Sequence, residues 1–297
     1  MNLYSQKDTN IRKTWVLFLV FLVLIISIGW FFSYIYNNRA ILIFAVVFSL
    51  ITNFLSYWYS DKIVLKMSGA RPVEKKNAPE LYNVVENLAI TAGLPMPKIY
   101  LVNDSAPNAF ATGRNPEHAV VAVTTGLLNI LDRSELEGVI AHELSHIGNR
   151  DILLSTAVVV LAGFIALLSD MFLRSLWWRG MGGDRDNRGS GGIIMLIGII
   201  LAIAAPISAM LIQLAISRSR EFLADASGAL LTRYPEGLAS ALEKISKYAS
   251  PMRSANNATA HLWISDPHGI KHSNIAKLFM THPPAEERIA RLRGLKV

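Results

Sequence analysis

Three residues near the middle of the chain have types and spacing suited to metal chemistry. His142, Glu143 and His146 form the pattern H-E-x-x-H. Residues four apart share one face of a helix, so the two imidazoles can bind one zinc ion. Glu143 lies beside the first histidine, where its carboxylate can reach a water molecule as a general base. The pattern predicts a zinc-dependent hydrolase.

A catalytic zinc site usually has three protein ligands, so the chain must supply one more. The chain has no cysteine, which excludes thiolate ligands and disulfides and leaves His, Asp and Glu. Glu221 and Asp225 lie four residues apart, directly after an apolar stretch, and are predicted to share a helix face. We predict that Glu221 is the third ligand. Asp225 is predicted to accept a hydrogen bond from a ligand histidine and so to fix its tautomer.

The segment before the metal motif contains both helix and strand signals. The sequence predicts one amphipathic helix and three strands, over 78–92 and over 98–102, 108–112 and 119–125. The helix that carries the motif is predicted to begin near Asp132, with Ser134 and Glu137 at capping-box spacing. These elements indicate an α+β domain that carries the metal motif on a helix.

The composition indicates that much of the chain belongs in an apolar environment. Of the 297 residues, 52% are hydrophobic and 17% are charged, whereas a soluble domain averages about 25% charged residues. This composition also excludes intrinsic disorder. Four apolar stretches reach the roughly 20 residues that span a hydrocarbon core. They cover residues 15–34, 40–59, 152–172 and 193–216, and they predict four transmembrane helices.

The distribution of basic residues predicts the orientation in the membrane. The net charge of +7 comes without a long basic run, which favours anionic lipid over nucleic acid as the partner. Lys and Arg are concentrated at residues 7–13 and 62–76, so we predict a multi-pass protein with a cytoplasmic N-terminus, C-terminus and active site. The four arginines within residues 174–192 argue mildly against placing that loop outside. Two crossings by residues 152–216 are still favoured, because both stretches there have spanning length.

The predicted organisation interleaves membrane and catalytic segments. Residues 1–59 form an N-terminal membrane hairpin and residues 152–216 form a second one. Residues 60–151 hold the first part of the catalytic domain with the H-E-x-x-H helix, and residues 217–297 hold the second part with the third ligand. The predicted fold is therefore a mostly α-helical membrane protein with an α+β, zincin-like metalloprotease domain.

Four segments give the chain a specific resemblance to a known family. They are HELSHIGNRD at 142–151, SRSREFLAD at 217–225, PNAFATG at 107–113 and THPPAEER at 281–288. With these motifs in their family order, nearly the whole chain resembles the HtpX family of bacterial membrane zinc metalloproteases, which is related to the CAAX prenyl proteases. The resemblance implies zinc held by His142, His146 and Glu221, with Glu143 as the catalytic acid and base. It also implies cleavage of membrane proteins on the cytoplasmic side of the bacterial inner membrane, in envelope quality control.

The resemblance adds two further predictions. In the related prenyl proteases, a histidine followed six residues later by an arginine lies opposite the zinc, and His282 and Arg288 keep that spacing. This implies that His282 donates a hydrogen bond to the reaction oxyanion and that Arg288 supports the site. Asn108, Ala109 and Phe110 resemble the family's active-site edge strand, which would pair with an extended substrate backbone.

The leading prediction is an integral-membrane zinc endopeptidase that cleaves membrane or misfolded proteins, with one zinc ion per chain. A CAAX-type prenyl protease of the same chemistry is an alternative, although four spans leave little room for a large chamber enclosed in the membrane. A non-enzymatic metal-binding membrane protein, such as a transporter, is the other alternative. A transporter would need ionisable residues within its spans, and here Asp170 alone marginally qualifies.

Overall fold

The computed structural model describes residues 3–35, 37–165, 218–248, 250–253, 255, 259–269 and 283–295. Within these ranges the helices are α1 (Leu3–Ile35), α2 (Arg39–Trp58), α3 (Ser60–Met67), α4 (Pro79–Thr91), α5 (Thr125–Ile130), α6 (Arg133–Gly148), α7 (Asp151–Ile165), α8 (Arg218–Thr232), α9 (Pro235–Ser246) and α10 (Ala285–Arg293). The strands are β1 (Arg71–Pro72), β2 (Lys98–Val102), β3 (Ala109–Thr112) and β4 (Val120–Thr124). Most of the described chain is therefore helical.

Two of the described helices, α1 and α2, are long and apolar enough to cross a membrane, over Lys7–Ile35 and Arg39–Trp58. Helix α1 begins well before the predicted start at residue 15, and the polar Asn10 in its early turns is buried by the rest of the protein. Asn38 begins α2 by accepting a hydrogen bond from the Ala40 N–H. The apolar stretch 193–216 and the end of 152–172 lie outside the described residues.

Helix α7 packs beside the two long helices. Its residues Leu154, Val158 and Leu161 form one apolar cluster with Leu17 and Phe21 of α1. The rings of Phe164 in α7 and Phe48 in α2 meet edge to face, with centroids 6.1 Å apart. The start of the third predicted apolar stretch thus shares an apolar core with the first two.

A four-stranded sheet in the order β1-β2-β4-β3 forms the centre of the polar part. Strands β2 and β4 are parallel, and the other two pairs are antiparallel. In β4, Val121 and Val123 face the core shared with α4, α6 and α9, whereas Val120 and Ala122 face a second cluster around Trp263. Because both faces are covered, the strand sequence is continuously apolar. Strand β3 lies at the edge of the sheet and contacts α6.

A capping box begins helix α6, which carries the metal motif. The Asp132 carboxylate accepts from the Glu135 N–H at 2.9 Å, and the Glu135 carboxylate accepts from the Asp132 N–H at 2.8 Å. The prediction that Ser134 and Glu137 form this box was wrong. The Ser134 hydroxyl donates to Asp132, and Glu137 pairs with Arg133. An ionised carboxylate is a stronger acceptor than a hydroxyl, which favours Asp132 as the cap.

A sharp bend connects α6 to α7. The two helix axes differ by 82° across the break between Gly148 and Asp151. Arg150 within the break has a φ of 59°, in the left-handed region, which costs a non-glycine residue roughly 1–2 kcal/mol. The bend directs α7 towards α1 and brings Asp151 back beside His146.

Two glycines allow neighbouring helices to approach α6 closely. A Cβ atom on Gly138 would lie 2.5 Å from the backbone nitrogen of Leu238 in α9. A Cβ atom on Gly228 of α8 would lie 3.0 Å from the backbone nitrogen of His142. The absence of these side chains lets α8 bring Glu221 against the helix that carries both histidines.

We predict that Gly138→Ala lowers the free energy of unfolding by about 1–3 kcal/mol, as overpacking does elsewhere, because the added methyl group forces α6 and α9 apart. Gly148→Ala in the same helix is the matched control, since its Cβ would meet only the Leu94 side chain at 3.9 Å. Thermal unfolding of the purified variants checks this. Equal melting temperatures for the two variants would contradict the close approach at Gly138.

Candidate active site

Three side chains from two helices meet at the centre of the polar part. The Nε2 atoms of His142 and His146 lie 3.2 Å apart. The Glu221 carboxylate, from α8, lies 3.8 Å from Nε2 of His142 and 3.5 Å from Nε2 of His146. One ligand atom from each of the three residues lies within 4.8 Å of the others. The two imidazoles and the carboxylate form a donor set suited to a divalent metal.

The other ring nitrogen of each histidine is held by a carboxylate. Nδ1 of His142 lies 3.0 Å from Asp225, one turn after Glu221 on α8. Nδ1 of His146 lies 3.0 Å from Asp151, the first residue of α7. A protonated Nδ1 that donates to a carboxylate leaves Nε2 as the lone-pair nitrogen, and both Nε2 atoms face Glu221.

Arg288 from α10 supports this arrangement from behind Asp225. Its guanidinium donates two hydrogen bonds to the Asp225 carboxylate, at 2.6 and 2.9 Å, and a third to the carbonyl of Ile264. The side chain is 2% exposed, and it also lies 3.8 Å from the Glu221 carboxylate. Although burial works against it, the paired arginine lowers the pKa of Asp225 to about 2. Asp225 is therefore an ionised acceptor for His142 at neutral pH.

Burial sets the protonation of the first two motif residues. It raises the pKa of Glu143, which is 2% exposed, to about 7. A carboxyl group with a pKa in this range can both accept and return a proton near neutral pH. Burial lowers the pKa of His142 to about 4, so this imidazole is neutral and able to bind a metal at pH 7.

The pKa of His146 shifts in the opposite direction to that of His142. Burial again lowers its pKa, but the hydrogen bond to Asp151 and the charge of Glu221 outweigh it and raise the pKa to about 9. The ring is therefore protonated at neutral pH unless a cation replaces the proton. The proton on His146 and the metal compete for the same lone pair.

Part of the edge of the predicted substrate strand is already hydrogen-bonded to Ile264 and Ser265. The Asn108 side chain donates to the carbonyl of Ser265 at 2.9 Å, and the carbonyl of Ala109 accepts from the Ile264 N–H at 2.9 Å. Phe110 points to the other face of the sheet, where its ring lies 4.6 Å from that of Trp263. These contacts hold the strand in place at Asn108, Ala109 and Phe110.

Ala111 of β3 contacts the motif through its backbone. A hydrogen bond from its backbone amide is among the interactions that lower the pKa of Glu143 against the effect of burial. In the antiparallel register Ala111 opposes Val121, and Ala109, two residues earlier in β3, opposes Val123. The edge of β3 next to the cluster therefore lies at Ala111, and the substrate-pairing role of this strand stays a prediction.

Sequence reasoning missed Asp151. Its position nine residues after His142 carries no periodic relation to the motif, because the bend at Arg150 intervenes. The available signal was an acid soon after the second histidine and next to an apolar stretch. His282, the predicted oxyanion donor, lies outside the described residues, whereas Arg288 lies beside the cluster.

Comparison with known proteins identifies the family. The sequence profile of peptidase family M48 matches residues 75–296. The chain belongs to peptidase family M48. This M48 chain is 50% identical to "Protease HtpX homolog" of Caldanaerobacter subterraneus subsp. tengcongensis, over 99% of this chain and 98% of the relative. It is 46% identical to the protein of the same name from Streptococcus gordonii, over 99% of this chain and 100% of the relative.

A solved structure has the same fold at low sequence identity. The crystal structure of Ste24p from S. mikatae matches with a TM-score of 0.52 and 18% identity, over 97% of this chain and 67% of that chain. The resemblance to the HtpX family is thus confirmed. Membership of M48, with the apolar helices α1 and α2, makes the chain a membrane metalloprotease.

The protonation of His146 predicts how metal affinity depends on pH. Because the pKa of His146 is about 9, metal binding at lower pH must release its proton. We expect the apparent affinity for Zn²⁺ to rise about tenfold per pH unit between about pH 6 and pH 8. Competition against a chelator, corrected for the chelator's own protonation, measures this slope. An affinity that does not change over this range would show that His146 is already neutral.

Proposed function

We propose that this M48 chain is a zinc endopeptidase in which His142, His146 and Glu221 hold the metal. The observation that carries the proposal is the convergence of both Nε2 atoms on Glu221 while carboxylates occupy both Nδ1 atoms. Two imidazoles and one carboxylate are a known ligand set of catalytic zinc, which keeps a fourth position open. The residues present therefore fit the metal that the family implies.

The chemistry of a bound zinc ion is that of a Lewis acid, which polarises a carbonyl group and lowers the pKa of water. The chain's own part in the reaction is proton transfer and positioning. Glu143 is proposed to accept the proton of the attacking water and to return it to the leaving amine. Its pKa of about 7 suits both transfers near neutral pH.

Two further residues are proposed to act without binding the metal, Arg288 by positioning Asp225 and His282 by binding the oxyanion. The double hydrogen bond from Arg288 fixes Asp225, and Asp225 fixes the ring of His142. His282 is proposed to donate a hydrogen bond to the oxyanion formed at the scissile carbonyl. It lies six residues before Arg288 in the sequence.

The edge of β3 is proposed to bind the substrate as an added strand. Asn108, Ala109 and Phe110 would hold this strand in place, and pairing with substrate would occur beside Ala111, next to Glu143. Pairing through the backbone depends little on the side chains of the substrate, so we propose broad specificity for extended, unfolded segments. Misfolded proteins, membrane proteins among them, expose such segments, which supports a role in membrane-protein quality control.

The exchange Glu143→Gln is predicted to abolish turnover while leaving metal binding intact. The amide cannot accept the proton of water, and the exchanged residue is outside the ligand set. We expect a loss in kcat of at least about 10²–10⁴-fold with an unfolded casein substrate. Metal analysis after dialysis against a weak chelator should find wild-type metal content in this variant.

Glu221→Gln is the matched variant for that measurement, because it makes the same carboxylate-to-amide exchange at the proposed metal ligand. It should lose metal in the same dialysis, because a charged ligand has been removed. Full metal content in Glu221→Gln would require another third ligand. Substantial turnover in Glu143→Gln would remove its role as general base.

The membrane arrangement is proposed to have four spans and a cytoplasmic site. Metal ligands before residue 152 and after residue 216 must lie on one side of the bilayer, so the chain between them crosses an even number of times. The packing of α7 along α1 and α2 supports entry of the third stretch into the membrane. Residues 1–59 and 152–216 are then two hairpins, and residues 60–151 and 217–297 form one α+β, zincin-like domain at the cytoplasmic face of the bacterial inner membrane.

A single cysteine tests this topology, because the natural chain has none. In Ser190→Cys, two crossings place the thiol outside the inner membrane, where an impermeant maleimide labels it in intact cells. Labelling only after the membrane is opened would contradict two crossings and leave the proposed metal site unaffected. A cysteine at Ser250, which is exposed in the proposed cytoplasmic part, is the matched control and should label only after opening.

A further inference from the structure

The first membrane helix places a polar side chain next to the candidate metal site. Asn10 of α1 is fully buried, five residues before Trp15, where the predicted apolar stretch begins. Its amide nitrogen lies 2.6 Å from Oδ1 of Asp151 and 3.0 Å from the carbonyl of Asn149. Both partners are acceptors, so the NH₂ group of Asn10 must face them.

Asp151 connects this amide to a proposed metal ligand. One carboxylate oxygen accepts from Nδ1 of His146 at 3.0 Å, and the other accepts from Asn10. Arg220 of α8 contributes charge from a greater distance, with Nη1 3.9 Å from Oδ1. Hydrogen bonds on both oxygens restrict rotation of the carboxylate, and the carboxylate in turn restricts rotation of the imidazole.

The two histidines therefore differ in what holds their carboxylate partners. Asp225, the partner of His142, is fixed by Arg288 from the C-terminal part of the catalytic domain. Asp151, the partner of His146, is hydrogen-bonded by a residue 141 positions away in the membrane helix. The orientation of one of the two imidazoles thus depends on the placement of α1.

We propose that Asn10 is a positioning residue for the metal site and that it acts through Asp151 on His146. The position of α1 against the catalytic part then sets the affinity for metal. This rests on the ligand set proposed above and goes beyond it. Removal of such outer hydrogen-bond partners typically lowers metal affinity by about 10–100-fold. Loss of Asp151 should reach that range, and loss of Asn10, one bond further out, should cost about tenfold.

The test uses the full chain in lipid nanodiscs, with Zn²⁺ affinity measured by chelator competition and with Co²⁺ absorption as a probe of ligand geometry. Asn10→Leu keeps the side-chain size and removes the donor. Asn53→Leu is the matched control, because the Asn53 amide also joins two membrane helices, donating to the Phe18 carbonyl at 3.2 Å, without contacting the metal cluster. We expect Asn10→Leu to weaken Zn²⁺ binding about tenfold and to change the Co²⁺ spectrum, and Asn53→Leu to do neither.

A double-mutant cycle tests the route through Asp151. If Asn10 acts through this carboxylate, Asn10→Leu combined with Asp151→Asn should bind Zn²⁺ no more weakly than Asp151→Asn alone. Additive losses would overturn this route. Wild-type affinity and spectrum in Asn10→Leu, or equal losses in Asn10→Leu and Asn53→Leu, would overturn the proposal itself.

Should Asn10→Leu not fold, Asn10→Ser replaces it, since the shorter residue removes most of the amide contact at lower cost in packing. A weaker Zn²⁺ affinity in Asn10→Ser supports the proposal, and wild-type values overturn it. Failure of the ligand set would look different. In that case Glu221→Gln would retain wild-type affinity, whatever the result at Asn10.

Discussion

In both motif histidines, Nδ1 faces a buried carboxylate, and this pairing determines what the rest of the site can be. It fixes the tautomer and the ring plane, so that both Nε2 atoms face Glu221 at 3.5 to 3.8 Å. The two carboxylates come from different helices, Asp225 from α8 and Asp151 from α7. The close contact of α8 with α6 and the bend before α7 are both needed for this pairing.

The cost of burying so many acids is offset by cations placed behind them. Arg288 makes two hydrogen bonds to Asp225 and lies near Glu221, while Arg220 lies near Asp151. A buried charge is tolerable when it is paired and hydrogen-bonded. Glu143 is the exception in this cluster, since burial raises its pKa to about 7. The same environment therefore keeps Asp225 ionised and leaves the proposed proton carrier able to change its state.

The parts of the site that follow from local periodicity could be predicted from the sequence. The four-residue spacings of His142 with His146 and of Glu221 with Asp225 predict shared helix faces, and the structure brings these faces together. The β2 strand was predicted with its observed bounds, 98–102, because its apolar run is short and bordered by turn residues.

Features that depend on contacts between distant segments could not be predicted in this way. Asp151 reaches His146 only through the left-handed conformation of Arg150, which is not a residue type that signals such a bend. The contact of Ile264 with Ala109 covers part of an edge that the strand pattern alone leaves open. The capping box was predicted on Ser134, because Asp132 and Ser134 both precede an acid by three residues and the pattern alone does not choose between them.

The contacts of α1 also bear on how the chain can be divided. Along the sequence, residues 1–59 are predicted to be an N-terminal membrane hairpin separate from the two catalytic segments. Yet α1 supplies the amide that binds Asp151 and the apolar surface that covers Leu154 and Leu161. A fragment beginning at residue 60 would leave that carboxylate oxygen to water and expose the start of α7. Helix α1 is therefore part of the packing around the candidate site, and a measurement of the site's chemistry needs residues 1–59 to be present.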